Sequence, residues 1–115
     1  MSVEQARERI SAALDAIDAA HDVLRKTSSD VVGNDFRVDV AERLETQDRT
    51  NRGLMYRFFA EIAGPPDGSE CTPAVREMLW ARLRVTPREL VRRFKFAARI
   101  RSGPPARTTP GATRA

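Results

Sequence analysis

The sequence predicts an all-α protein of about four helices, in which the last two form a hairpin that resembles a helix-turn-helix. Apolar residues recur at helical spacing in four segments, helix-capping residues stand before these segments, and no segment has the alternation that is typical of a strand. A length of 115 residues favours one domain. We expect this domain to cover residues 1–101, and residues 102–115 to form a disordered tail with little apolar surface.

The first helix is predicted over about residues 3–26. Ser2 and Gln5 have the spacing of a capping box. An apolar stripe follows at helical spacing, formed by Ile10, Leu14, Ile17 and Leu24. No heptad repeat is long enough to predict a coiled coil. The segment TSSDVVGND then has the composition of a linker.

The second helix is predicted from Asn34 or Asp35 to about Ile62. Its apolar stripe comprises Val40, Leu44, Leu54, Phe58 and Ile62, widened by Met55 and Phe59. The polar stretch TQDRTNRG contains Gly53 and predicts a bend or a break in this helix. Gly64 and the two prolines after it predict where the helix ends.

Two short helices complete the predicted fold. Thr72 is a suitable N-cap before Pro73, and the apolar face that follows consists of Val75, Met78, Leu79 and Leu83. Thr86 caps the next helix, whose inner stripe is predicted to be Leu90, Phe94, Ala97 and Ala98. Trp80, the single tryptophan, is expected in the core rather than on the surface as a stacking platform.

Charge is distributed unevenly along the chain. Residues 1–70 hold nine Lys and Arg against 14 Asp and Glu, for a net charge of −5, whereas residues 71–115 hold 11 against two, for +9. Ten of these 11 cations are Arg, which suits phosphate and the edges of bases. The pattern favours a polyanionic partner. The alternative is a solvated basic face that the acidic part neutralises, within the fold or within an oligomer.

A helix-turn-helix motif inserts the start of its second helix into the major groove of DNA. By this logic the candidate contacts with duplex DNA are five cations that stay outside the apolar stripes: Arg84, Arg88, Arg92, Arg93 and Lys95. We expect Thr86 and Glu89 to position the helix. Trp80 and Arg84 depart from the usual motif, which has a small residue and a glycine at these places. A hairpin with a structural or protein-binding role therefore stays an alternative.

Enzymatic chemistry is not predicted. His21 is the single histidine and Cys71 the single cysteine, so a histidine-rich metal site and an internal disulfide both lack their residues. No Ser-His-Asp pattern is present, and Cys71 lies far in sequence from His21, so a Cys-His pair is only a minor alternative. We nominate no catalytic residue, metal, cofactor or small-molecule substrate. The N-terminal segment MSVEQARERI resembles neither a signal peptide nor a membrane span, and we expect a cytoplasmic protein without a membrane partner.

Three blocks in order, ALDAIDAAHDVL, VAERLETQDRTNR and VREMLWARLRVTPRELVRRFKFAARI, resemble the actinobacterial 13E12 repeat family over about residues 12–101. The likeness is to the N-terminal helical domain of unknown function (DUF222) of that family. In these proteins the domain commonly precedes a C-terminal HNH endonuclease domain, so the resemblance implies a DNA-related setting.

The sequence after Arg101 has no positions that match the HNH histidines and asparagine. We therefore expect a non-catalytic DNA-binding domain, which would be a truncated copy, a remnant of a longer gene or a free-standing module. The alternative function is protein interaction or self-association, in which acidic helices of one copy meet the basic hairpin of another in a homo-oligomer.

Overall fold

The computed structural model describes the backbone of residues 1–102 and the side chains of residues 1–100. Within this range the chain forms no strand and four α-helices: α1 (Val3–Lys26), α2 (Asn34–Ala63), α3 (Pro73–Leu83) and α4 (Pro87–Ser102). The prediction of an all-α protein with four helices is confirmed. The disordered tail was predicted over residues 102–115; Ser102 is instead the last residue of α4, and the rest of the predicted tail lies outside the described residues.

Contacts divide the chain into two compact units. The first comprises Met1–Arg43, with α1 and the start of α2, and the second begins at Leu44 and contains the rest of α2 with α3 and α4. The single domain expected over residues 1–101 stays a prediction.

In the first unit, local interactions define where the helices begin and end. The Ser2 hydroxyl accepts the Gln5 backbone N–H at 3.1 Å, and the Gln5 side chain accepts the Ser2 backbone N–H at 2.9 Å, which completes the predicted capping box. In the first turn of α2, the Arg37 guanidinium donates to the Asn34 side chain at 2.9 Å, and it also donates to the Ser29 carbonyl in the preceding loop at 2.7 Å. None of the residues of α1 is buried.

Helix α2 continues without interruption through Gly53, so a break, one of the two outcomes predicted there, is wrong, and a bend stays a prediction. One glycine inside a helix costs only about 1 kcal/mol relative to alanine. Two ion pairs lie in the turns just before it: Arg52 contacts Asp48 at 2.6 Å and Arg49 contacts Glu45 at 3.6 Å. Such pairs four residues apart favour the helix and offset part of the cost of the glycine.

The core lies in the second unit, between the C-terminal half of α2 and α4. It consists of Tyr56, Phe59, Ala60, Leu90, Phe94 and Ala97. The rings of Phe59 and Phe94 meet edge to face with centroids 5.1 Å apart, and those of Tyr56 and Phe96 lie 4.6 Å apart. Aromatic pairs in these arrangements stabilise a core beyond the area that they bury. Leu79 and Leu83 of α3 and Val85 of the turn cover the side of this cluster.

Several residues that were expected in the core are exposed instead. Trp80 is 49% exposed, and Met78, Leu54, Phe58 and Ala98 are exposed as well. The expectation that Trp80 fills the core is wrong. Successive helical residues turn by about 100°, so an α3 that directs Leu79 and Leu83 inwards turns Trp80 away. The same geometry buries Phe59 and exposes its neighbour Phe58.

Candidate nucleic-acid interface

Helices α3 and α4 are joined by a three-residue turn of Arg84, Val85 and Thr86. The Thr72 hydroxyl accepts the Val75 N–H at 3.3 Å where α3 begins. The Thr86 hydroxyl accepts the Glu89 N–H at 3.0 Å where α4 begins. Both predicted N-caps are confirmed, and the short turn fixes where the cations of α4 start.

Arg84 ends α3 in the left-handed conformation, with φ 56° and ψ 38°. Its N–H donates to the Trp80 carbonyl at 3.2 Å. This is the conformation that glycine adopts most readily at a helix C-terminus. For an L-residue it costs roughly 1–2 kcal/mol, so arginine at this turn reduces the stability of the fold.

Replacing Arg84 by glycine is expected to raise the free energy of unfolding by up to about 1 kcal/mol, because glycine removes the strain but loses more entropy on folding. The control is Arg82→Gly, the same change inside α3, which should lower it by up to about 1 kcal/mol. Urea titrations followed by Trp80 fluorescence measure both. A loss of stability in both variants would show that the Arg84 conformation carries no strain.

Helix α4 has two opposite faces. Leu90, Phe94 and Ala97 are buried against the core. At about 100° per residue, four cations fall within about 60° of one another on the other side: Arg88, Arg92, Lys95 and Arg99. We call these four residues the basic stripe. All four are exposed, so the stripe faces solvent along three turns of the helix.

A carboxylate cluster holds two of the predicted site residues. The Glu89 carboxylate accepts Arg92 Nε at 2.9 Å and Arg92 Nη2 at 2.8 Å, and it accepts Arg93 Nε at 2.8 Å. The bidentate contact fixes the Arg92 guanidinium, although its side chain is 60% exposed. Arg93 is only 24% exposed, and its guanidinium lies 5.9 Å from the Phe59 ring centroid at the edge of the core.

The three other predicted site residues lack such neighbours. Within the described part of the chain, Arg84, Arg88 and Lys95 form no ion pair. Arg88 and Lys95 belong to the basic stripe, and Arg84 stands in the turn before α4. Residues 71–100 contain eight Lys and Arg against two Asp and Glu, which gives a net charge of +6. Glu89 neutralises part of this charge where Arg92 and Arg93 lie.

The Glu89 cluster also determines how the fold responds to acid. Hydrogen bonds from Arg92, and then from Arg93, lower the pKa of Glu89 from 4.5 to about 2. The same contact with Glu89 raises the pKa of Arg92. Because the pKa of Glu89 is lower in the folded than in the unfolded chain, its stabilising contribution is complete above about pH 5. It is lost as the pH falls towards 2.

Glu89→Gln is expected to lower the melting temperature at neutral pH, and the difference from the wild type should shrink steadily between pH 5 and pH 2. The Gln side chain keeps the size of Glu but carries no charge for the two guanidinium groups. Circular dichroism melts across this range measure the effect. Glu77→Gln on α3 is the control, because Glu77 is exposed and has no ion pair among the described residues. A constant difference at every pH would contradict this role of Glu89.

Sequence reasoning did not find the surroundings of this cluster. Asp48, Asn51, Arg52, Met55 and Tyr56 of α2 line a groove with Glu89, Arg92 and Arg93 of α4, and the groove has a volume of about 390 Å³. The ion pair of Glu89 and Arg92 was not predicted, although their three-residue spacing in a helix allows it. No sequence pattern signalled that α2 would pack beside them, because this depends on tertiary contacts.

Other classes of site have less support in the described part of the chain. No group of three or more His, Cys, Asp and Glu side chains is placed there to hold a metal ion. His21 is exposed on α1, and Cys71 is a partly buried free thiol. None of the four helices is both long and apolar enough to cross a membrane.

The second unit is thus a small helical domain with an apolar core and a basic outer face. A family model described as Domain of unknown function (DUF222) matches residues 38–109. Because this match covers more than half of the chain, the chain belongs to that family. Searches of the curated proteins and of the solved structures found no match.

Proposed function

We propose that the chain is a non-catalytic DUF222 protein that binds duplex DNA through the turn and the outer face of α4. The observation that carries the proposal is the basic stripe, which faces solvent on the side of α4 opposite the core. The resemblance to 13E12 repeat proteins, in which this domain precedes an HNH endonuclease domain, adds a DNA-related setting. Cytoplasmic location and an actinobacterial origin belong to the same proposal.

Arg84, Arg88 and Lys95 are the main contacts in this proposal, because no carboxylate among the described residues neutralises them. Arg92 adds its exposed side but stays oriented by Glu89, and Arg93 contributes mainly by holding Glu89 beside the core. Contacts with phosphates would supply most of the affinity. Arg88, in the first turn of α4, is the candidate for reading a guanine edge.

The test is a titration of a fluorescein-labelled duplex with the chain at salt concentrations from about 50 to 300 mM. Each phosphate contact that is formed adds about 0.9 to the steepness of the salt dependence. Three or four contacts by Arg84, Arg88, Lys95 and Arg92 therefore predict a slope near −3 in a plot of log affinity against log salt. Absence of binding at about 50 mM salt would overturn the proposal.

The second candidate function is self-association through opposite charges. The first unit holds six Lys and Arg against nine Asp and Glu, which gives a net charge of −3, against +6 for residues 71–100. An oligomer in which these parts of different copies meet would dissociate as salt is added. Sedimentation of the DNA-free chain over the same salt range distinguishes this function from DNA binding.

A further inference from the structure

The apolar residues of α1 form a heptad repeat along the whole helix. Val3, Ile10, Ile17 and Leu24 recur every seven residues, and Ala6, Ala13 and Ala20 recur every seven residues between them. This is the alternation of three and four residues that defines the a and d positions of a coiled coil. It runs through three heptads of an unbroken helix, contrary to the expectation from sequence that no heptad repeat is sustained. We call these seven residues the α1 seam.

The α1 seam is exposed in the monomer. The large side chains at and beside it, Val3, Ile10, Leu14, Ile17 and Leu24, are between 42% and 66% exposed. Isolated helices have little stability in water, and most helices depend on packing of an apolar face. A seven-residue period is the repeat that keeps such a face against another helix over several turns.

We propose that the α1 seam pairs with the α1 seam of a second copy of this chain, in antiparallel orientation. With Ala6 facing the partner's Leu24, Ile17 faces the partner's Ala13 and Ile10 faces the partner's Ala20. Each of these facing pairs then combines one large and one small side chain, which lets the two helices approach closely without leaving a void. A parallel pair would stack large on large and alanine on alanine, and would leave space in the alanine layers.

Among the described helices, α1 itself is the best match for the α1 seam, so the partner we propose is a second copy of the chain. Partner and seam must match in length and in the order of large and small residues. Helix α2 does not meet this requirement, because the heptad positions that follow Phe36 and Val40 hold the polar residues Arg43, Gln47 and Thr50. Helix α3 has 11 residues, and α4 buries its apolar face in the core. Arg7 and Arg9 are the charged residues flanking the seam, and in this register they face the partner's His21 and Val23, so like charges do not oppose the pairing.

The area involved predicts a reversible dimer. Burying a large aliphatic side chain removes roughly 60–120 Å² of apolar surface from water. Five half-exposed side chains from each copy, with the alanines between them, thus bury on the order of 500–1,000 Å² in total. This is less than the roughly 1,600 Å² of a standard stable interface, so dissociation is expected at micromolar concentrations.

Sedimentation equilibrium of the 115-residue chain from about 5 to 500 µM tests the pairing. We expect the mass to rise towards that of a dimer and to change little with salt, unlike an association through opposite charges. Ala20→Lys places a charge in the seam and should raise the dissociation constant at least about 30-fold. Ala19→Lys is the matched control on the outer side of α1, where the same change should have an effect of less than about threefold.

The orientation is tested by cross-linking single-cysteine variants with a short bismaleimide after replacing Cys71 by serine. In the antiparallel register, position 14 of one copy lies beside position 14 of the other, whereas the two copies of position 3 are at opposite ends. Leu14→Cys should therefore cross-link and Val3→Cys should not. A monomer at every concentration, equal effects of Ala19→Lys and Ala20→Lys, or cross-linking of Val3→Cys would overturn the proposal.

Discussion

Reversing the charges of Arg88 and Lys95 together, by substitution with glutamate, is expected to lower the affinity for duplex DNA by about 100-fold at low salt. Both residues lie on the basic stripe, and neither has an ion pair among the described residues. Each substitution removes a phosphate contact and places a carboxylate beside the phosphates. The slope of log affinity against log salt should also become shallower, by the amount that about two phosphate contacts contribute. This change distinguishes the loss of contacts from partial unfolding.

The control for this variant is the double reversal of Arg9 on α1 and Arg43 on α2. Both residues are exposed and lie in the first unit. Each reversal changes the net charge by two, so both double variants have a formal net charge of 0 in place of +4. The control should lose only the small part of the DNA affinity that depends on the net charge of the chain. Equal losses in the two variants would mean that net charge attracts DNA and that the stripe has no special role.

Phe59→Ala is expected to lower the free energy of unfolding of the second unit by about 3–5 kcal/mol. Phe59 is 1% exposed and meets Phe94 edge to face, so its removal leaves a cavity at the centre of a small core. A unit of this size has only about 3–9 kcal/mol of stability in total. Much of the variant should therefore be unfolded at room temperature. Trp80, which lies in this unit, reports the transition by fluorescence in urea.

Phe58→Ala is the matched control for the core, because it is the same change one position earlier. Phe58 is 38% exposed and contacts the Arg57 guanidinium, whose centre lies 4.6 Å from the ring centroid. Its removal should cost about 1 kcal/mol or less. If the two variants lost similar amounts of stability, the core would not be centred on Phe59 and Phe94.

Local signals in the sequence predicted where the helices begin and end. Ser2, Thr72 and Thr86 cap helices as expected, because a hydroxyl that accepts a nearby N–H is a local interaction. The rotation of each helix about its axis was less predictable. Trp80 and Phe58 were placed in the core, because hydrophobicity does not reveal which of two neighbouring apolar residues meets a partner. That choice depends on the packing of α2 against α4.

The candidate site was predicted in part. The periodicity of Leu90, Phe94 and Ala97 predicted correctly which face of α4 is buried, and hence that Arg88 and Lys95 are exposed. Glu89 was expected to position the helix, which stays a prediction, and the contacts of its carboxylate with Arg92 and Arg93 were not foreseen. Three residues so close in sequence have several pairings available, and tertiary packing decides among them. The α1 seam was missed because alanine at its d positions gives a weak hydrophobic signal.

Binding through Arg84 of the turn and Arg88 of α4 should leave the Glu89 cluster closed. Nitrogen-15 spectra of the arginine Nε–H groups, recorded as a duplex is added, distinguish these groups. We expect the Arg88 and Arg84 signals to shift with DNA concentration, while the Arg93 Nε–H, which donates to Glu89 at 2.8 Å, stays in place. Shifts confined to arginines of the first unit, or unchanged Arg88 and Arg84 signals in the presence of bound DNA, would contradict this expectation.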